Sequence, residues 1–178
     1  MEKLPSFPLM DDSARDRVFE RSSDPCDCCG EARGWKYTGP VYGEPDEPTI
    51  CPWCIADGSA AEELEASFND GEDYEAKRAL AGVDLDLVEH RTPGFTTWQG
   101  NHWKVCCDSA CKFMGDATAE DLTGRWASLV PAIRKDMGES IDWVDDWIAD
   151  QADYGSSPAL YVFQCRNCSR LHFYWDID

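Results

Sequence analysis

The chain has 178 residues, enough for one domain with a real core or for two small lobes sharing one. Its 35 Asp and Glu against 16 Lys and Arg give a formal charge of −19, a surface that repels phosphate backbones and argues against nucleic-acid binding. Hydrophobic residues at 43%, with eight Trp, exclude a disordered polymer.

No apolar run approaches the ~20 residues of a membrane span. The start, Met1-Glu2-Lys3-Leu4-Pro5, lacks the basic-then-apolar pattern of an export signal. A cytoplasmic protein without a membrane span is the expectation.

Residues 1–25 carry several prolines and little periodicity, which reads as an extended arm with a helical turn near Asp16 to Glu20. Residues 26–178 read as a single domain. Its first feature is Cys26-Asp27-Cys28-Cys29-Gly30. Trp35-Lys36-Tyr37 and Val41-Tyr42 follow as short strands punctuated by Gly39-Pro40. Cys51-Pro52-Trp53-Cys54 comes next. Ser59 with Glu62 has the form of a capping box for a helix through Leu64 and Phe68, stopped by Asn69-Asp70-Gly71. Glu72 to Leu80 reads as a short acidic helix. Thr92-Pro93-Gly94 breaks the chain before Phe95, Trp98 and Trp103.

Beyond Cys107-Asp108-Ser109-Ala110-Cys111, two stretches are helical in pattern, Thr118 to Met137 and Ser140 to Gln151. In the second, Ile141, Val144, Trp147 and Ile148 share a face and Asp142, Asp145, Asp146 and Asp150 occupy the others. Leu160 to Phe163 and Leu171 to Trp175 read as strands joined through Cys165-Arg166-Asn167-Cys168. The expected class is α+β: small zinc-ribbon-like lobes stapled by two four-cysteine sites, with several helices.

Ten cysteines without an export signal point away from a disulfide framework. Two residues between cysteines allow a tight turn to aim both sulfurs at one ion, and a glycine or small residue after the pair eases the backbone into a left-handed conformation. Paired in chain order, Cys26, Cys29, Cys51 and Cys54 make a first zinc site (about 26–54). Cys107, Cys111, Cys165 and Cys168 make a second (about 107–168). Cys28 and Cys106 are left over, each beside a proposed ligand that it could replace. Iron–sulfur clusters use the same ligands, but paired knuckles fit zinc better. A redox role for Cys51-Pro52-Trp53-Cys54 fits less well, since that motif ordinarily stands alone.

The zinc is expected to be structural, because two closed four-sulfur sites leave no position for a reactive water. His90, His102 and His172 fall in no hydrolase pattern, and neither G-x-S-x-G nor a phosphate loop occurs. His102 in place of a cysteine at the second site is one alternative. A polar site of His90 and Arg91 with Trp98 and Gln99 is another, set against a structural turn.

The block from Cys51 to Ala61, the segment His90 to Phe95 followed by Trp98-Gln99, and Phe163-Gln164-Cys165 with Cys168 resemble the CbrC family of bacterial proteins. The resemblance runs from the first knuckle to the C-terminus. It implies a bacterial cytosolic protein with a role in colicin tolerance, and members able to serve as immunity proteins; it supplies no catalytic mechanism. The stretch from Thr118 to Gln151 departs most from the motif blocks. The resulting expectation is a non-enzymatic, immunity-type protein that neutralises a cationic toxin by contact. Asp142, Asp145, Asp146 and Asp150 are its candidate partner-binding residues. A zinc-dependent enzyme or a redox and zinc sensor is the alternative.

Overall fold

The computed structural model describes residues 3–44, 46–69, 83–136, 142–150, 153 and 155–177. The helix expected over Glu72 to Leu80 lies outside them. In chain order the elements are α1 (Asp12–Arg15), β1 (Phe19–Glu20), β2 (Lys36–Tyr37), α2 (Pro52–Asp57), α3 (Ser59–Glu63), α4 (Val83–Arg91), β3 (Val105–Cys106), β4 (Ser109–Ala110), β5 (Lys112–Asp116), α5 (Ala119–Thr123), α6 (Val130–Asp136), α7 (Asp142–Ala149), β6 (Ala159–Gln164) and β7 (Leu171–Asp176). A 3-10 turn, Ala127–Leu129, precedes α6. Mixed helix and sheet is what the patterning predicts at this level.

The organising element is an antiparallel sheet in the order β5-β6-β7. Side chains alternate between the faces of a strand, and β6 is apolar on both. Ala159, Tyr161 and Phe163 belong to one core, Leu160 and Val162 to another. A strand read from alternation alone would present one polar face; this one is a near-continuous apolar run because it is covered on both sides.

The larger core holds the N-terminal segment, α2, α4 and the aromatic residues Phe95, Trp103, Phe113 and Phe163. Phe95 and Phe113 stack with centroids 3.8 Å apart. The smaller core lies under α5 to α7, with Leu122, Trp126, Ile133, Val144 and Trp147. The long helix expected over Thr118 to Met137 is interrupted. Thr118 and Asp121 form a capping box that starts α5, and Gly124 ends it in a non-helical conformation.

Three expectations change with the tertiary structure. Residues 1–25 do not form an extended arm: Phe7, Leu9 and Met10 are buried, and Met10 bridges to Phe113 on β5. The helical turn falls at α1, four residues before its expected place, with Asp11 as its cap. Ser59 caps nothing with its side chain; its hydroxyl and its N–H both go to Asp57 Oδ1.

The His90 to Phe95 segment is a packed joint. Asn69 Nδ2 donates to Val88 O and Thr92 O, and Gly94 N–H donates to the Tyr37 hydroxyl at 2.8 Å. A Cβ on Gly94 would lie 1.9 Å from Phe68 O, so only glycine fits.

Candidate metal centres

The structure brings two sets of four cysteines together. In each set, Cys26, Cys29, Cys51, Cys54 and Cys106, Cys107, Cys165, Cys168, all ligand atoms lie within 4.8 Å of one another. All ten cysteines are free thiols.

The first set joins a turn to a helix start. Between β1 and β2, Gly30 N–H donates to Cys26 O at 2.7 Å and Gly30 takes φ 73°, the left-handed region. Cys51 precedes α2 in an extended conformation, and Pro52 fills the first helical position, where a missing N–H costs nothing. Cys54 lies three residues on, on the same helical side. The Sγ–Sγ distances are 3.9 Å for Cys26–Cys54, 3.9 Å for Cys29–Cys51 and 3.5 Å for Cys51–Cys54. Burial opposes ionisation at Cys26, yet the N–H groups of Cys29, Cys51 and Cys28 hold its thiol below the usual range. Burial pushes the Cys51 thiol up to about 11 and also raises Cys54.

The second set joins two hairpin tips. The β6–β7 turn repeats the first knuckle. Ser169 N–H donates to Cys165 O at 3.0 Å with Ser169 at φ 59°, and Cys165 N–H donates to Arg170 O as Cys26 N–H does to Glu31 O. The Cys168 N–H, 3.4 Å from Cys165 Sγ, is the chief cause holding that thiol down at about 6.

The other half is the tip of the β3–β4 hairpin, where Cys107 and Asp108 take φ 53° and 56°, a two-residue turn of the I′ kind. Cys106 Sγ lies 3.8 Å from both Cys107 Sγ and Cys168 Sγ. Its hydrogen bond with Cys165 and its own burial push the Cys106 thiol up to about 12.

This geometry changes the expected ligand set. Cys111, predicted as a member, lies outside the group, and Cys106 stands in its place. The tight turn at Cys107-Asp108 sends β4 back along β3, so Cys111 arrives at the base of the hairpin, where its N–H donates to Lys104 O. There it is fully buried, and burial pushes its thiol up to about 12. Cys106 and Cys107 stay at the tip. Adjacent cysteines at a hairpin tip were the available signal. Two residues missed from sequence hold the tips together. Arg166 pairs with Asp84 on α4 at 2.9 Å and donates to Ala110 O, while Asn167 Nδ2 donates to Cys107 O.

The donor chemistry fits a tetrahedral thiolate-bound ion. A metal–sulfur bond of ~2.3 Å sets tetrahedral sulfurs about 3.8 Å apart, and the distances above run from 3.5 to 3.9 Å. Two metal ions can therefore be held. Cys28 remains outside both groups, its Sγ 3.5 Å from Ser59 Oγ.

The other candidates are dispersed. His102 packs edge-on against Tyr174 and is not in the second group. His90 pairs with Asp86, and with Arg91 it lines an open cleft of about 420 Å³ with Ser59 and Glu62; Trp98 and Gln99 are elsewhere, held by Asp176. On α7, Val144 and Trp147 are buried while Asp145 and Asp146 are exposed, as is Asp150 just past its end. Asp145 pairs with Arg134 on α6. The Asp142 side chain lies outside the described residues. No described helix is long and apolar enough to cross a membrane.

A family model, the uncharacterised protein family UPF0167, matches residues 4–177. The chain belongs to UPF0167. A UPF0167 protein of Pseudomonas aeruginosa is 40% identical over 98% of this chain and 97% of its own length. UPF0167 proteins of Mycobacterium bovis and Mycobacterium tuberculosis are each 33% identical over 94% of this chain and 90% of theirs. No solved structure matches. These matches correct the resemblance to the CbrC family: the model and the relatives carry the UPF0167 name, that of an uncharacterised family, and not the CbrC name. The colicin-tolerance role implied by that resemblance loses its support.

Proposed function

We propose that this UPF0167 protein is a zinc-stapled binding protein that holds two structural zinc ions and acts by contact with a cationic protein partner. The observation that carries the metal half is the closure of both groups by four protein sulfurs at tetrahedral spacing. Zinc is favoured by all-cysteine donors on paired knuckles, and four sulfurs leave no open position for a catalytic water. Elemental analysis of freshly purified protein should give two zinc per chain, and a chelator should unfold it, since metal-binding energy here is folding energy.

The contact half rests on the charge of −19 and on the exposed carboxylates of Asp145, Asp146 and Asp150, which flank the buried stripe of α7. Such a surface steers a cation inward. A basic toxin is one partner of this class, supported by the acidity of the chain. Asp146→Lys should slow association with the partner more than it speeds release, and added salt should reproduce part of that loss. Asp145→Lys is the less clean variant, because it also breaks the pair with Arg134. An on-rate indifferent to salt and to both reversals would remove α7 as the steering face.

A further inference from the structure

The β5-β6-β7 sheet carries a second arrangement that neither metal group uses. Asp116 pairs across strands with Tyr161, and Tyr161 with Tyr174, so the three stand in a row on one face, with Asp176 two residues beyond Tyr174 on that same face. Asp116 reaches this face because the register shifts between Phe113 and Gly115, and Gly115 takes φ 126°.

Over one end of the row opens a cleft of about 250 Å³, lined by Phe95, Phe113, Tyr161, Trp98, Asp116 and Arg17 among others. Phe95 and Tyr161 lie with centroids 5.3 Å apart. Trp98 is 54% exposed, the most exposed of the large apolar side chains among the described residues. Its backbone is nevertheless fixed: the N–H groups of Trp98 and Gln99 donate to Asp176 Oδ2 at 3.0 and 3.1 Å.

We propose that this cleft binds a small organic cation, an ammonium group on a compact apolar body, with the ammonium at Asp116 and the body among Phe95, Tyr161 and Trp98. The volume is below the range of drug-sized pockets, ~300–1,000 Å³, and suits a ligand somewhat larger than benzene, which an engineered cavity of ~150 Å³ accepts. Aromatic faces attract a desolvated cation, and a carboxylate among them fixes its position.

The local charge balance favours that sign. Two carboxylates, Asp116 and Asp176, stand against Arg17, and Asp176 Oδ1 is buried without a hydrogen-bond partner. A buried carboxylate oxygen left unpartnered is costly, and a cation nearby lowers that cost. Burial pushes the Asp116 carboxyl up to about 6, against the Gly155 N–H and Arg17, with Asp176 adding to the rise. Tyr161 and Tyr174, the tyrosines of the row, have their pKa values raised, first by burial, and stay neutral through this range, while His102 and Lys104 lie against Tyr174. Binding should therefore weaken as pH falls through about 6.

Benzylamine is a suitable probe, with benzyl alcohol and benzoate as its neutral and anionic counterparts. Titration calorimetry on the metal-loaded full chain at pH 8 should rank benzylamine first. Asp116→Asn should weaken it about tenfold or more, and Trp98→Ala by a smaller factor. Trp98→Ala leaves the buried row untouched, so it still reports if Asp116→Asn fails to fold. Three results would each overturn the proposal: equal affinity for benzylamine and benzyl alcohol, preference for benzoate, or no benzylamine binding by the folded wild type. Undiminished binding by a folded Asp116→Asn would do the same.

Discussion

The two cysteine groups share half of their construction and differ in the rest. Cys26 to Gly30 and Cys165 to Ser169 are the same turn, with a left-handed residue after the second cysteine, Gly30 in one and Ser169 in the other, and N–H groups from equivalent positions on the first sulfur. The first is completed by Cys51 and Cys54 at a helix start, and Cys26, Cys51 and Cys54 are all buried within the larger core. The second is completed by a hairpin tip: Cys165 is buried in the same core, but Cys107 and Cys168 are exposed, where the first group exposes only Cys29. A knuckle fixes local geometry alone; what packs around its partner half decides whether the site is interior or accessible. The first group should therefore act as part of the core, the second as an outer clasp between two hairpins.

The largest expected effect is at Cys54. Replacing it with Ser opens the first site inside the core and should cost at least ~4 kcal/mol, read by denaturant unfolding. Cys168→Ser should cost clearly less; equal costs would erase the distinction between the two groups. Next is ligand identity. Cys106→Ser should lower bound metal from two ions to one, and Cys111→Ser should keep both while destabilising the core around it. Loss of an ion in Cys111→Ser alone would restore the chain-order ligand set.

The kinetics of metal removal should also divide. A chromogenic chelator should empty the exposed group in a first phase, leaving most secondary structure intact by circular dichroism, and the buried group in a slower phase that accompanies unfolding. One phase with simultaneous unfolding would mean the groups are equivalent.

The smallest effect concerns protons. The folded value at Cys165, about 6, is depressed below the ordinary thiol range, chiefly by the Cys168 N–H. Its contribution is thus complete above the ordinary thiol range and is lost as pH falls through about 6. Chelator-detected release from the second group should quicken as pH falls toward that value; a release rate flat between pH 8 and 6 would contradict the N–H arrangement.

What the sequence reveals follows the range of the interactions involved. The knuckles are local and legible: Cys26, Cys29, Cys51 and Cys54 come together as their spacing suggests, as do Cys165 and Cys168. The strands over Leu160 to Phe163 and Leu171 to Trp175 emerge from short apolar runs. Cys106 is hidden because its turn is built from Cys107 and Asp108 at positive φ, without the Asn-Gly or Asp-Gly that announces such a hairpin. The N-terminal segment is misread because Phe7, Leu9 and Met10 have no period of their own and are ordered by β5, about a hundred residues away. α4 has its signal in charge, with Asp84 and Asp86 in the first turn and His90 and Arg91 in the last, rather than in an apolar stripe. The row Asp116, Tyr161, Tyr174 needs the β5 register shift, which no spacing encodes.

The two-faced burial of β6 has a consequence for how the polypeptide is made. Every other element of the larger core except β7, and all the helices of the smaller one, precede residue 159 in the chain. A ribosome therefore delivers Phe113 and Ile133 well before β6, which shares a core with each of them. Domains that complete their cores from the N-terminal side can fold during synthesis. This chain instead closes two cores with one late strand, a step of high contact order.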